Sequence, residues 1–303
     1  MKTMIIGAGS DLGIHIDGAK YGPDSLLKDI KSTYSGETVN IMQDADIIKS
    51  RNLSDKRKNE YEIDKFNTKV YEACKSAIKK GLFPITIGGD ATVAIASTLA
   101  NADSNVEDIG LIWIGAHALF DTFETTTTGN IHDLSCATLA GYKCEELRGY
   151  STEKKIIYPA KCIILGVREI ESSERENIKY SGVTVIKGNE LKEKGIKEVI
   201  ENSFKQATEK TKSVHVVFSL DLLDPSIAPG VSLPEEGGIE EKDTYILLDE
   251  ILKHYNDISA FDIVELNPLR DINRKTEQIA LNILATTIMK IEKYKNVNKI
   301  RKY

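Results

Sequence analysis

The sequence predicts an α/β protein, a parallel sheet with helices packed on both of its faces. Three observations carry this. Short apolar runs alternate along the chain with longer amphipathic segments, the order that strand–helix–strand units impose. No Pro/Gly/Ser-rich linker and no internal repeat divides the 303 residues, which therefore read as one domain spanning 1–303. Unusual polar sequence is concentrated after five of the apolar runs, where parallel sheets bind their ligands.

The elements follow in order. Residues 3–7 form a first strand, and residues 22–30, opening with Pro23-Asp24, a first helix. A second strand is expected at 39–43. Residues 56–80 have helical spacing, with Tyr61, Phe66, Val70, Ala73 and Ile78 as inward positions. Residues 83–87 read as a buried strand, followed by Gly88-Gly89-Asp90 and a small-residue helix at 92–99. A strand at 109–114 leads into a long irregular segment, 115–135, rich in Thr, Gly and Asn. Loops of that length inside a compact domain are usually functional. Strands are expected at 162–167, 183–186, 214–220 and 258–266, and helices at 190–210, 242–255 and 275–294. The basic end, residues 296–303, reads as a solvated tail.

Bulk properties exclude several classes. Hydrophobic residues are 41% and charged residues 28% of the chain, an ordinary globular composition. The net charge of −6, with basic and acidic residues interleaved, leaves no concentrated basic face for nucleic acid. The N-terminal apolar run, Met4 to Ile6, is too short for a targeting core, and no stretch is long enough to span a bilayer. Cys74, Cys136, Cys144 and Cys162 lie far apart in no metal-ligand pattern and read as free thiols of a cytoplasmic protein.

Taken singly, the strand ends have plain readings. Gly88-Gly89-Asp90 suits a turn, Arg168-Glu169 a surface salt bridge, and Asp224-Pro225 a turn start. Glu265 suits a cap. His15, His215 and His254 have no site context and read as structural or surface residues.

In combination they carry more. The pieces are Gly88-Gly89-Asp90-Ala91; Gly115-Ala116-His117-Ala118-Leu119; Thr128-Gly129-Asn130-Ile131-His132; Ser219-Leu220-Asp221-Leu222-Leu223-Asp224-Pro225 with Ala228-Pro229-Gly230; and Glu265-Leu266-Asn267-Pro268. In this order and spacing they resemble the arginases, agmatinases and their relatives, the ureohydrolases, over most of the chain. The resemblance implies a doubly wound parallel sheet, assembly into a homo-oligomer (trimer or hexamer), and hydrolysis of a guanidino group by a hydroxide bridging two Mn²⁺. Such ions take carboxylate and imidazole ligands and lower the pKa of bound water.

The same resemblance marks departures. Of six expected metal ligands only His117 and Asp221 match. Ala91, Gly115, Leu119 and Ser219 occupy the other four positions. Two ligands with one negative charge do not hold two divalent ions, since a catalytic metal normally has at least three protein ligands. No metal cofactor is therefore expected, although manganese serves the parent family. Other positions match better. The resemblance gives His132 a proton-shuttling role and Glu265 the role of receiving the guanidinium, which a carboxylate binds bidentately. Thr128, Asn130, Glu171 and Glu174 match positions around the substrate's amino-acid end. Asp121 and Asp133 stand where the family usually has Asn and Gly, adding negative charge there.

Two functional readings stay open. One is a non-catalytic arginase-like protein, a pseudoenzyme related to arginine metabolism. It would bind a small guanidino or cationic ligand among Glu265, Glu171, Glu174, Asp121 and Asp221, or act through assembly. The other is a hydrolase of a guanidino substrate, of the arginine-to-ornithine-and-urea type, with reduced or altered metal use. For that reading His117, Asp121 and Asp221, with Asp90, offer a mononuclear site after rearrangement. The plainer role for Asp121 is a hydrogen bond within its loop.

Overall fold

A computed structural model describes residues 2–52 and 54–300, with the side chains of 294–300 excepted. The expected basic end at 296–303 lies outside these residues in its side chains and beyond residue 300.

Eight strands form one sheet: β1 (Thr3–Gly9), β2 (Glu37–Met42), β3 (Phe83–Gly88), β4 (Ile109–Ile114), β5 (Cys162–Val167), β6 (Thr184–Lys187), β7 (Ser213–Ser219) and β8 (Ile258–Val264). Their spatial order is β2-β1-β3-β8-β7-β4-β5-β6, and every pairing is parallel. Residues of β1, β3, β4, β5 and β7 are buried throughout, as expected of strands covered on both faces. The two edge strands, β2 and β6, are exposed or half-buried.

The helices are α1 (Gly22–Ile30), α2 (Glu60–Lys79), α3 (Thr92–Ser104), α4 (Ser135–Leu139), α5 (Ser172–Ser181), α6 (Gly188–Lys194), α7 (Ile196–Thr208), α8 (Glu241–Lys253) and α9 (Lys275–Ile300). Alternate strand residues point to opposite faces, and this splits the core in two. Ile5, Ile85, Ile112, Ile114 and Phe218 pack with α1, α7, α8 and α9. Ile6, Leu111, Trp113, Ile164 and Val217 pack with α2, α3 and α4. The sheet is thus wound on both faces, as the sequence predicts.

Three expectations change. The single helix at 190–210 is two helices, because Gly195 takes φ 84°, a left-handed conformation that interrupts the helical ladder. Tyr61 does not face inward but is 68% exposed. Helix α2 begins only at Glu60; Phe66 and Val70 face the core as expected, joined by Ile63, Tyr71, Cys74 and Ala77, while Ala73 and Ile78 are half-buried. Helix α5 is absent from the sequence reading; only Glu174 and Asn177 on it are buried.

The chain leaves β1 toward β2 on one side and returns to β3 on the other. From β4 it proceeds outward to β5 and β6, then comes back to β7 and β8. The connections leaving β4 and β7, which are neighbours, therefore diverge, and a crevice opens beyond their carboxyl ends. Among the described residues no helix is long and apolar enough to cross a membrane.

Candidate functional site

The crevice is built by loops that the sheet aims at one another. Beyond β4 the chain runs through His117 to the irregular segment. The backbone N–H groups of Arg168 and Glu169, beyond β5, donate to the Ala116 carbonyl at 2.8 and 3.3 Å. Beyond β7, Asp221 Oδ1 accepts the Ala116 N–H at 3.0 Å. Beyond β8, Glu265 adopts φ 76° and its N–H donates to the Gly89 carbonyl at 2.8 Å. A non-glycine residue in that region costs of order 1–3 kcal/mol and persists only where the surroundings hold it.

The irregular segment is held from outside. Lys56 and Lys58 donate their ammonium groups to the Thr126 and Thr128 carbonyls. Gly129 has φ 73°, and a Cβ there would sit 1.9 Å from the Asp55 carbonyl oxygen, so only glycine fits against the backbone at Asp55 and Lys56. Farther along, the segment makes a 3-10 turn at Ile131–Leu134 before α4.

A cavity of about 200 Å³ lies among these loops. Five carboxyl groups line it, from Asp121, Asp133, Glu169, Glu171 and Glu174, and no lysine or arginine does. Thr128 and Asn130 line it as well, with His15 and His117. A larger hollow, about 280 Å³, lies against α2 and α3 beside Tyr61 and Tyr150.

His132 and Glu265 are 1% and 2% exposed and line neither hollow. His132 Nδ1 stands 3.3 Å from Glu265 Oε1. Neither ring nitrogen of His132 makes an aligned hydrogen bond, and neither does Glu265 Oε1, so the contact is a buried ion pair. Burial opposes the charged imidazolium. The charges of Glu265, Asp133 and Asp90 outweigh it and lift the His132 pKa to about 10. Asp90 is buried and accepts N–H groups from Gly13 and Thr92. Burial and the nearby Glu265 push its pKa up to about 6. Ser219 Oγ is buried with no hydrogen-bond partner among the described residues.

His117 is 9% exposed. Its Nε2 faces the Leu233 carbonyl at 3.2 Å and its Nδ1 faces Glu169 Oε2 at 3.4 Å. Burial lowers its pKa, but Glu169 and then Asp221 raise it more, to about 9. Asp121 Oδ1 accepts the Thr125 hydroxyl at 2.8 Å, the loop role that was the plainer of its two readings. Glu174 is committed to structure. One oxygen accepts the Phe120 N–H at 2.8 Å and the other caps α5 by accepting the Glu171 N–H at 2.9 Å. Burial still pushes its pKa up to about 7 against those bonds.

Comparison with known proteins agrees with this geometry. The family model described as the arginase family matches residues 1–290. The chain belongs to the arginase family. The arginase of Bacillus caldovelox is 30% identical over 300 residues, covering 93% of this chain and 96% of that protein. The arginase of Bacillus subtilis is 31% identical over 299 residues, covering 95% of this chain and 98% of that one. A crystal structure of Bacillus caldovelox arginase matches with a TM-score of 0.85 at 28% identity, over 95% of this chain and 98% of that one. The sheet order and its two helical layers are thus an arginase-type fold.

Within this arginase-family frame, the structure gathers most of the residues singled out from sequence. Thr128, Asn130, Asp121, Glu171, Glu174 and His117 surround one cavity, while His132, Glu265, Asp90 and Asp221 are buried away from its lining. His117, Asp121 and Asp221 do not converge on one ion position. Among the described residues the cluster with that geometry is His117, Glu169 and Glu235. Arg168 and Glu169 do not pair with each other. Arg168 donates instead to the carbonyls of Asp221, Leu222 and Glu235. His15, which reads from sequence as lacking any site context, lines the cavity, with Nδ1 3.2 Å from Asn130 Nδ2; its place beyond the end of β1 is the signal that could have found it. His215 and His254 are structural: His215 Nε2 lies 2.9 Å from the buried Asp262, and His254 stacks on Phe204. All four cysteines are free and buried.

Proposed function

We propose that this arginase-family protein does not form the family's two-manganese centre, does not hydrolyse arginine by that route, and binds a small guanidino or other organic cation in its carboxylate-lined cavity. The supporting observation is the state of the positions that resemblance assigns to metal. Ala91 and Leu119 are buried apolar groups with no donor atom. Asp221 Oδ1 is engaged by a backbone N–H, and it lies 2.9 Å from where a Cβ on Gly115 would stand. Ser219 offers only a neutral hydroxyl. A donor set of one imidazole, one carboxylate and one hydroxyl does not balance two divalent charges.

The cavity suits a cation for a separate reason. Asp121, Asp133 and Glu171 bring negative charge to one small space with no lysine or arginine among its lining residues. Burial and the neighbouring acids raise the pKa of both Asp121 and Glu171, so a bound cation relieves repulsion that already exists. A guanidinium is the best-matched guest, since its planar N–H fork pairs with two carboxylate oxygens at once. His132 and Glu265 remain as a buried pair beneath the site. We further read the chain as one cytoplasmic domain that assembles with copies of itself.

The test is calorimetric titration and thermal-shift measurement with arginine, agmatine and polyamines. Saturable stabilisation by at least one of them, reduced in Asp121→Asn, is the expected result. Flat responses throughout remove the ligand from this reading.

A further inference from the structure

We propose that His117, Glu169 and Glu235 form a site for a single divalent transition-metal ion, Zn²⁺ or Mn²⁺, on the wall of the cavity. This is a different donor set from the one the family resemblance implies. It shares only His117 and brings in two carboxylates from other loops.

Geometry is the first support. Each of the three side chains offers a ligand atom, and these atoms all lie within 4.8 Å of one another. A tetrahedral ion with bonds of about 2.1 Å places its ligand atoms roughly 3.4 Å apart. The His117 Nδ1 to Glu169 Oε2 separation is already 3.4 Å. Closing the rest requires Glu235 to move by about an ångström at the tip of a flexible side chain.

The orientation of His117 is the second, independent support. The ring is 9% exposed, and its Nε2 is placed to donate to the Leu233 carbonyl at 3.2 Å. Nδ1 is left facing Glu169, where its proton sits in the ion pair and where a bound cation would take that proton's place. A histidine that gives its far N–H to a backbone carbonyl has the outer-shell partner typical of a metal ligand, which fixes both tautomer and ring angle.

The third support is rigidity. The backbones of His117 and Glu169 form a bridge that extends the β4–β5 pairing. The loop carrying Glu235 is tied to the same scaffold, because Arg168 donates to the Glu235 carbonyl at 3.0 Å and to the Asp221 carbonyl at 2.7 Å. Asp224 Oδ2 accepts the N–H groups of Gly237 and Gly238 at 3.0 and 3.1 Å, closing the loop behind it. Three protein ligands leave at least one coordination position open, and His117 and Glu169 both line the cavity.

The experiment uses the full chain, stripped with chelator, dialysed, and titrated calorimetrically with Zn²⁺ alone and then Mn²⁺ alone, with bound metal counted by elemental analysis. The expected result is one ion per chain, with Zn²⁺ tighter than Mn²⁺. Glu235→Gln and Glu169→Gln each weaken binding at least tenfold. Glu236→Gln, the next residue on the same loop, binds as the unmodified chain does. Metal-free thermal unfolding stays unchanged in Glu235→Gln and Glu236→Gln, whose positions are not fully buried, and Glu169→Gln unfolds cooperatively at a somewhat lower temperature because it loses the His117 ion pair. No bound ion, or equal affinity in Glu235→Gln, identifies the cluster as a plain His117–Glu169 ion pair and overturns the proposal. Two ions per chain overturn it as well, together with the reading that the family's centre is lost. A failure of organic cations to bind leaves this site standing.

Discussion

The buried floor of the site and its cavity wall are built on opposite terms. In the floor, Asp90, His132, Glu265 and Asp221 are all less than about one-twentieth exposed, and their charges are answered by one another or by backbone N–H groups. In the wall, Glu169, Glu171 and Glu235 are at least partly open to solvent and crowd against other acids. The floor is therefore a structural commitment and the wall a binding opportunity. This difference explains how positions that resemblance assigns to metal can be apolar while the surrounding loops keep their places: the charges left in the floor are offset by the His132–Glu265 ion pair and by backbone N–H groups on Asp90 and Asp221, although His132, Ser219 and one Glu265 oxygen lack an aligned hydrogen bond.

The largest expected effect lies in the floor. His132→Ala or Glu265→Ala leaves a buried charge without its partner and costs about 3–5 kcal/mol, measured by urea unfolding. The double change His132→Leu with Glu265→Met recovers most of that loss, because a well-packed apolar pair replaces a buried ion pair at little cost. A double variant as unstable as the single ones would show that the pair holds something beyond itself.

Next comes the pH dependence of stability. His132 is raised from its ordinary value near 6.5 to about 10, so its contribution is fully present below pH 6.5 and disappears as pH rises through 10. Asp90 and Glu174 are raised from ordinary carboxylate values to about 6 and about 7, so the folded state holds their protons longer than the unfolded state does. Their contribution has the same sign and is lost between about pH 4 and 7. The melting temperature should fall from pH 5 to pH 9, and His132→Gln should flatten the upper part of that slope. Stability rising with pH over this range would contradict the assigned directions.

In the wall the effects concern binding. Asp121→Asn removes a charge-assisted contact and should weaken the organic cation by about 1.5–3 kcal/mol, or roughly 10–100-fold, in calorimetry. The smallest effect is on wall stability. Glu171→Gln should change unfolding free energy by no more than about 0.5 kcal/mol, as is usual for partly exposed positions. A large loss there would erase the distinction between floor and wall.

The legibility of these regions in the sequence also differs, for physical reasons. The runs Ile109–Ile114 and Cys162–Val167 are apolar from end to end, and their strand bounds agree with the structure to the residue. The two-layered sheet followed from the alternation of such runs with helices. Helix α5 was not legible because its buried residues are Glu174 and Asn177, which make no apolar stripe. The break at Gly195 was hidden because a glycine in a polar helix has no distinct periodic signature. In the site, the sequence motifs marked the strand ends but not side-chain direction. Arg168 and Glu169 are neighbours in sequence, yet one reaches across to carbonyls beyond β7 while the other faces His117. Glu235 joins His117 only because two loops meet over the β4–β5 edge, and no local pattern encodes that meeting.

The measurement that bears most directly on the central claim is metal stoichiometry paired with urea release. The full chain is equilibrated with excess Mn²⁺, freed of loosely held ions, and assayed for manganese per chain and for urea formed from arginine. The same is done for the variant carrying Ala91→His, Gly115→Asp, Leu119→Asp and Ser219→Asp. For Gly115→Asp the Asp221 carboxylate tip must shift from its contact with the Ala116 N–H, a movement at the end of a side chain rather than of backbone. The account predicts at most one ion and no urea from the unmodified chain, and two ions with urea from the variant. Two tightly held manganese ions and urea release in the unmodified chain would contradict it.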